Sequence, residues 1–285
     1  MPHMYPLFLQ QVLPQTSGAA STIDVSWTDL ALAAALVFIA IAISQWQRLG
    51  LARGFLVGAI RAVVQLVAVG YVLVYIFAAG QWWLVLLALL VMLLAATATA
   101  SRRGTGRFRS GERRTLWMIS GTGMFVGAGL TLAYVTGVVL YVQPWYDPRY
   151  LIPLFGMIVG NAMNGAALAA ERLSSEIETR RGEVEAYLAL GATPARAAAE
   201  PVRRALTASL IPTVNSLMVV GLVQLPGMMT GQILAGQSPL LAVRYQIIVA
   251  FMLAGATAVT TVIVVLWYRR TFFTPAAQLV DRVSV

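Results

Sequence analysis

Long hydrophobic runs separated by short polar segments dominate the chain. The pattern predicts membrane-spanning helices, since about 20 apolar residues in helical conformation cross a hydrocarbon core. The first run, from about Ser26 to Gln47, lies between Trp27 and Trp46, residues suited to the two membrane interfaces. The second, Gly54 to Ala78, is interrupted by Arg61 and Gln65, which are four apart and share a helix face. Trp82 and Trp83 open a third run reaching about Ala100, and a fourth covers about Thr115 to Tyr141. The fifth begins near Ile152, with Pro153 placed for a first helical turn, and continues through 157–170. The sixth, about Val202 to Val223, contains Pro212 and should bend there. Ser238 and Pro239 cap a seventh that ends near Tyr268. The expectation is an all-α polytopic membrane protein with about seven transmembrane helices.

The segments between the runs set its orientation. The loop 101–114, SRRGTGRFRSGERR, carries six arginines against one glutamate and reads as a flexible cytoplasmic connection near anionic lipid. From Glu171 to Arg204 acids and arginines alternate among helix formers, so the fifth helix is expected to extend out of the membrane. There LALGATP supplies a stop and restart, with Gly191 at C′, Thr193 as N-cap and Pro194 at N1. All arginines except Arg61, Arg149 and Arg244 follow runs one, three, five and seven, which places the N-terminus outside and the C-terminus in the cytoplasm. The stretch from Gly221 to Gln246 is apolar yet interrupted by Pro226, Gly227, Gly231, Gly236 and Pro239. Such backbone at a membrane boundary needs protein or a water-filled cavity around it, so the stretch reads as a re-entrant or interfacial segment lining a path.

Composition narrows the chemistry. Hydrophobic residues make up 59% of the 285 and charged residues only 11%, as expected for an integral, multi-pass protein of the plasma (cytoplasmic or inner) membrane. Residues 1–25 show no basic region ahead of an apolar core, so a cleaved signal peptide is not expected. Cysteine is absent and the one histidine, His3, lies in the tail, which leaves thiolate or histidine metal sites and Ser/His catalysis without a centre. With no paired acids at membrane depth either, the chain does not read as an enzyme. No lysine is present, so a standard P-loop cannot form and any ATP hydrolysis must occur in another chain. The net charge of +9 comes from arginines beside the spans, which argues for membrane lipid rather than nucleic acid as the partner.

Polar groups inside the spans are the candidates for function. Arg61, Gln65, Asn161, Asn164, Asn215, Met218, Gln224, Arg244 and Gln246, with Pro226, Gly227, Met228, Met229, Thr230 and Gly231 of the interrupted stretch, are expected to line a transport path. An intramembrane arginine is a functional hypothesis by default because its charge is costly in hydrocarbon. Pairing with amides or carbonyls would satisfy Arg61 without a substrate. Asn161 and Asn164 share a helix face with Met157 and Leu168, and interhelical hydrogen bonding beside Gly160 and Gly165 would account for them equally well. The donor set of amides, carbonyls, thioethers and guanidinium suits an anionic complex better than a bare hard cation, and no metal ligand set is identified.

The segment EVEAYLALGA, 183–192, resembles the EAA loop of ABC-transporter permeases, with Glu185, Ala186 and Gly191 in register and Tyr187 in place of the second alanine. Beyond it, Arg61-x3-Gln65-Leu66 followed by VGYVLVYIF, then MIVGNAMN, EAYLALGATP, and LIPTVNSLMVVGLVQLPGMMTGQILAGQSPLLAVRYQI resemble the FetB family of ABC permeases from about residue 50 to 265. The resemblance implies a homodimeric permease of an ABC-type exporter for iron or a related metal or its anionic chelate. It also implies a separate ABC ATPase that carries the ATP and Mg, docking where Glu185, Ala186 and Gly191 lie. Members include bacterial iron-export permeases and plant relatives implicated in aluminium tolerance. An ATP-independent channel or secondary transporter is the alternative. The domains that follow are an extracytoplasmic tail (1–25), a permease domain (26–270) containing the 171–204 coupling segment and the 224–240 outer segment, and a cytoplasmic tail (271–285).

Overall fold

The computed structural model describes residues 26–103 and 110–280. The expected N-terminal tail, the middle of the arginine-rich loop and the last five residues lie outside them. The described chain is helical, apart from two isolated bridges. Its α-helices are α1 Trp27–Trp46, α2 Ala52–Ala79, α3 Trp82–Arg103, α4 Ser110–Tyr134, α5 Pro148–Thr179, α6 Arg181–Ala189, α7 Pro194–Ala197, α8 Ala199–Val219, α9 Gly227–Leu234 and α10 Pro239–Tyr268. A π-helix, Val135–Val139, continues α4, and a 3-10 turn, Arg269–Phe272, ends α10.

Local chemistry explains most of the boundaries. The Ser26 hydroxyl accepts from the Asp29 amide, while the Ser26 amide donates to the Asp29 carboxylate at 2.9 Å, a reciprocal cap that starts α1. The α5 helix starts earlier than its apolar run because Asp147 accepts from the Arg149 amide at 2.9 Å and Pro148 occupies N1. Pro153, expected in the first turn, therefore sits inside the helix.

At its other end α5 stops at Thr179 instead of continuing toward Gly191, because Arg180 leaves helical geometry (φ −105, ψ 22). Gly191 does end the next helix, as the sequence leads one to expect. Its φ of +84 is a left-handed conformation that glycine adopts without penalty. The Ala192 and Gly191 amides donate to the Tyr187 and Leu188 carbonyls at 2.9 and 3.0 Å, completing a Schellman motif. The same motif at Gly236 ends α9. Thr193 occupies the N-cap position of α7, but its side chain makes no capping bond.

Six helices are long and apolar enough to cross a membrane among the described residues: α1, α2, α3, α4 with its π extension, α5 and α10. The expected sixth run is α8, whose 21 residues span about 31 Å. It falls short on composition because Glu200, Arg203 and Arg204 occupy its first turns.

The chain divides into two compact units. The first comprises the chain up to Val69 together with Leu225–Gln246. Its α1–α2 turn is tied by Ser44, buried, whose hydroxyl accepts from the Leu51 amide at 3.1 Å. The second unit, Gly70–Gln224 and Ile247–Val285, is organised around α5. Along α5, Ala162, Gly165, Ala166, Ala169, Ala170, Leu173 and Ile177 are buried. They pack with Leu116 of α4, Val202 and Ala205 of α8, and Val264, Val265 and Tyr268 of α10. Small residues let these helices approach closely, the usual basis of helix association in lipid, where apolar burial alone gives no driving force.

Candidate functional site

The second unit presents a polar face at membrane depth. Leu173 and Ile177 near the end of α5 share a core with Val202 and Ala205 near the start of α8, and a cavity of about 330 Å³ is lined by Glu176 together with Glu200, Arg203 and Arg204. The two helices therefore run antiparallel. With equal rise per residue, Asn161 and Asn164 on α5 fall at about the level of Asn215 on α8. All three asparagines are exposed, Asn161 and Asn164 on the side of α5 away from Ile158, Ala162 and Ala166. Asn161 donates to its own helix, to the Met157 carbonyl at 3.0 Å. Gly160 beside it has open space where a Cβ would stand, whereas a Cβ on Gly165 would meet Thr257 and Thr261 at 2.7 and 2.9 Å. Close packing thus accounts for Gly165 but not for the Asn161 neighbourhood. Met218, one turn beyond Asn215, is 70% exposed, and Gln224 sits in an exposed turn closed by the Gly221 amide donating to its carbonyl at 3.0 Å.

The remaining path candidates belong to the first unit. Arg61 and Gln65 lie on one exposed face of α2, with no hydrogen bond or ion pair among the described residues. The interrupted stretch becomes a short helix: Pro226 is the N-cap of α9, Gly227 to Gly231 form its first turns, and Met228 and Met229 are half-buried. Thr230 donates to the Pro226 carbonyl at 3.2 Å. Eight residues span about 12 Å, too short to cross a bilayer. Arg244 is exposed in the second turn of α10. The side-chain oxygens of Gln246 and of Gln232 on α9 are buried without a hydrogen-bond partner. Orphaned buried carbonyl oxygens are costly and call for a water or ligand donor. Gln232 was not among the sequence candidates, although it lies within the PGMMTGQILAG segment that drew attention to this region.

The coupling candidates form a distinct surface on α6 and its exit. Glu185 and Ala186 are exposed, and Glu185 is paired with Arg181 at 2.8 Å. Val184 is buried and anchors α6, while Tyr187 and Leu190 toward its end are 47% and 85% exposed. An exposed leucine immediately before a left-handed glycine is an apolar tip, flanked here by charge. Arg180 bridges the break behind it, 3.3 Å from Glu176 and 2.8 Å from Glu183. Partial desolvation pulls its guanidinium pKa down, but the Glu183 and Glu176 carboxylates outweigh this and leave it raised. At the start of α8, Glu200 is gripped by Arg204 and Arg203, whose hydrogen bonds hold its carboxyl below the usual value. Among the described residues no three His, Asp, Glu or Cys side chains stand close enough to hold a metal ion.

Apolar helices of spanning length, packed through small residues, define an integral multi-pass membrane protein. The chain belongs to UPF0014, described as an uncharacterised protein family, whose signature matches residues 27–273. It is 43% identical over 257 residues to a UPF0014 membrane protein of Synechocystis, covering 90% of this chain and 97% of that protein. It is 39% identical over 252 residues to the probable iron export permease protein FetB of Escherichia coli, covering 88% and 94%. Similarity extends to the protein ALUMINUM SENSITIVE 3 of Arabidopsis thaliana, at 37% identity over 249 residues, 87% of this chain and 88% of that one. No solved structure matches it.

Proposed function

We propose that the chain is the permease subunit of an ABC-type exporter, working as a homodimer with a separate ATPase that binds ATP and Mg, and that it exports iron, a related metal or its anionic chelate. The observation that carries this reading is the 39% identity to the Escherichia coli iron export permease along 88% of the chain. The absence of lysine supports an ATPase in another polypeptide, since a P-loop needs that residue on the phosphates. The exposed Tyr187–Leu190 tip supports docking there, with Glu185, Ala186 and Gly191 at the contact. Near-complete exposure of α1 and α2, which among the described residues bury only Ser44 and Ile76, supports a second copy beside them.

In this reading Arg61, Gln65, the three asparagines, Met218, Gln224, the 226–231 segment, Arg244 and Gln246 line the path. Their amides, thioethers and guanidinium groups accept an anionic complex more readily than a bare hard cation, because guanidinium pairs carboxylates and phosphates bidentately. The α8 helix is the seventh crossing, from about Val202, which puts the N-terminus outside and the C-terminus in the cytoplasm. The test is purification with the ATPase followed by ATP-dependent efflux from vesicles. Gly191→Pro, which cannot adopt a φ of +84 and removes the amide that bonds Leu188, should insert normally but abolish stimulated ATP hydrolysis. Normal stimulation would remove the docking assignment, and efflux without the ATPase would favour a channel or secondary transporter.

A further inference from the structure

A cavity of about 700 Å³ opens in the second unit where α3 begins, the π-helix ends and α5 begins. Its volume is that of a small-molecule site. Leu86 and Leu89 line it from one to two turns inside α3, roughly 6 to 10 Å below Trp82, and Leu132 lines it from α4. The facing wall carries almost no side chain: Gly129, Ala133 and Gly137 recur every fourth residue, and a Cβ placed on either glycine would meet nothing within 4 Å. The Thr136 hydroxyl, the polar group at this depth, donates its hydrogen to the Leu132 carbonyl of its own helix at 2.8 Å and has no second donor for a ligand.

Polar atoms gather at the mouth, on Tyr141, Gln143 and Trp145. The backbone is specialised here as well. The wall continues into the π-helix, a form frequent at functional sites, and Tyr141 is held at a φ of +50, which only glycine adopts without penalty.

The deep walls are leucine, alanine and glycine, so at membrane depth the occupant they match is a hydrocarbon chain. A basic residue lies close by in sequence. Arg149 is exposed in the first turn of α5, between the lining residues Trp145 and Leu151 in sequence, and has no ion pair among the described residues. We propose that this cavity takes an acyl chain of a membrane phospholipid from the adjoining leaflet, with the lipid phosphate at Arg149. An interfacial guanidinium beside tryptophan and tyrosine is suited to that contact. The site stands apart from the path residues and does not depend on the transport reading.

The test uses the full chain in nanodiscs containing a phospholipid with a photoreactive diazirine in its tail. Cross-links should concentrate on Leu86, Leu89 and Leu132. Gly129→Leu, which fills the space from a helical position, should lower them about tenfold, the effect of displacing two or more buried methylenes, without lowering the melting temperature. Arg149→Gln should reduce labelling by the phospholipid but leave labelling by a diazirine fatty alcohol unchanged. Labelling no denser than on the exposed faces of α1 and α2, or insensitive to Gly129→Leu, overturns the proposal. Because the chain has no cysteine, Leu86→Cys reports cleanly on a protein occupant: disulfide formation between two copies without lipid adducts also overturns it.

Discussion

Gly127→Ala and Gly129→Ala place the same methyl group two residues apart on α4, and the structure requires opposite outcomes. At Gly127 the new Cβ would overlap the Thr260 hydroxyl of α10 and stand 3.0 Å from the Thr260 amide and 3.1 Å from the Ala256 carbonyl. Two of these three contacts are backbone, so no rotamer change relieves them and the helices must separate. Thr260 would also lose its hydrogen bond to the Gly123 carbonyl, now 3.3 Å. Overpacking of this kind costs about 1–3 kcal/mol, and one hydrogen bond about 1 kcal/mol. Alanine returns at most about 1 kcal/mol of helix propensity, which leaves Gly127→Ala destabilised by roughly 1–3 kcal/mol. At Gly129 nothing lies within 4 Å, so only the propensity gain remains and the variant should be as stable as the parent or up to about 1 kcal/mol more so. Reversible unfolding in mixed micelles measures both variants side by side. Equal stability of the two, or a Gly127→Ala protein at least as stable as the parent, would refute the close crossing of α4 and α10.

Three further outcomes follow from the same geometry. Reporter fusions after Gln237 and after Val280 should lie on opposite sides, outside and cytoplasmic respectively, and both should invert relative to the N-terminus if α8 fails to cross. Arg61→Gln should lower export about tenfold or more with normal insertion, the size of a lost charge-assisted hydrogen bond, and undiminished export would remove Arg61 from the path. Glu200 has its carboxyl pKa depressed by Arg204 and Arg203, so the native state binds fewer protons than the unfolded one. Its contribution is present above the ordinary value of 4.5 and is lost as pH falls through the depressed one. Protection of the amides in the segment that joins α5 to α8, taken relative to the intrinsic exchange rate at each pH, should therefore fall on acidification below the ordinary carboxyl value, a dependence that Glu200→Gln should blunt.

Much of the architecture is legible because its causes are local. Apolar length specifies a span wherever it occurs, and runs one to three match α1 to α3 to within a few residues. Gly191 is legible because a left-handed residue is needed to close the Schellman motif. The end of α5 is different: Gly182, the weakest helix former from Glu171 to Ala189, lies inside α6 rather than at the break, and the break at Arg180 lies between Glu176 and Glu183, both bound to the same guanidinium. Residue types on either side of the break look alike. Among site candidates, the asparagines stand out as amides in apolar runs, but their common level on α5 and α8 depends on antiparallel packing. Gln232 is not legible as a site residue because a glutamine in a short helix between turns is ordinary in sequence, and only the fold buries its oxygen without a partner.

The sequence by itself determined that the chain is a helical membrane protein, where most helices begin and end, and which polar residues are carried into the apolar runs. Tertiary structure alone decided which faces those helices turn to one another. It separated Gly127 and Gly165, which seat α10, from Gly129 and Gly137, which face open space, and it made α5 the hub while α1 and α2 stay exposed. The physical reason is that lipid is as apolar as a protein interior. In water a buried face announces itself by an amphipathic period, whereas in a bilayer both faces are hydrophobic and only shape, read from the packed helices, tells them apart.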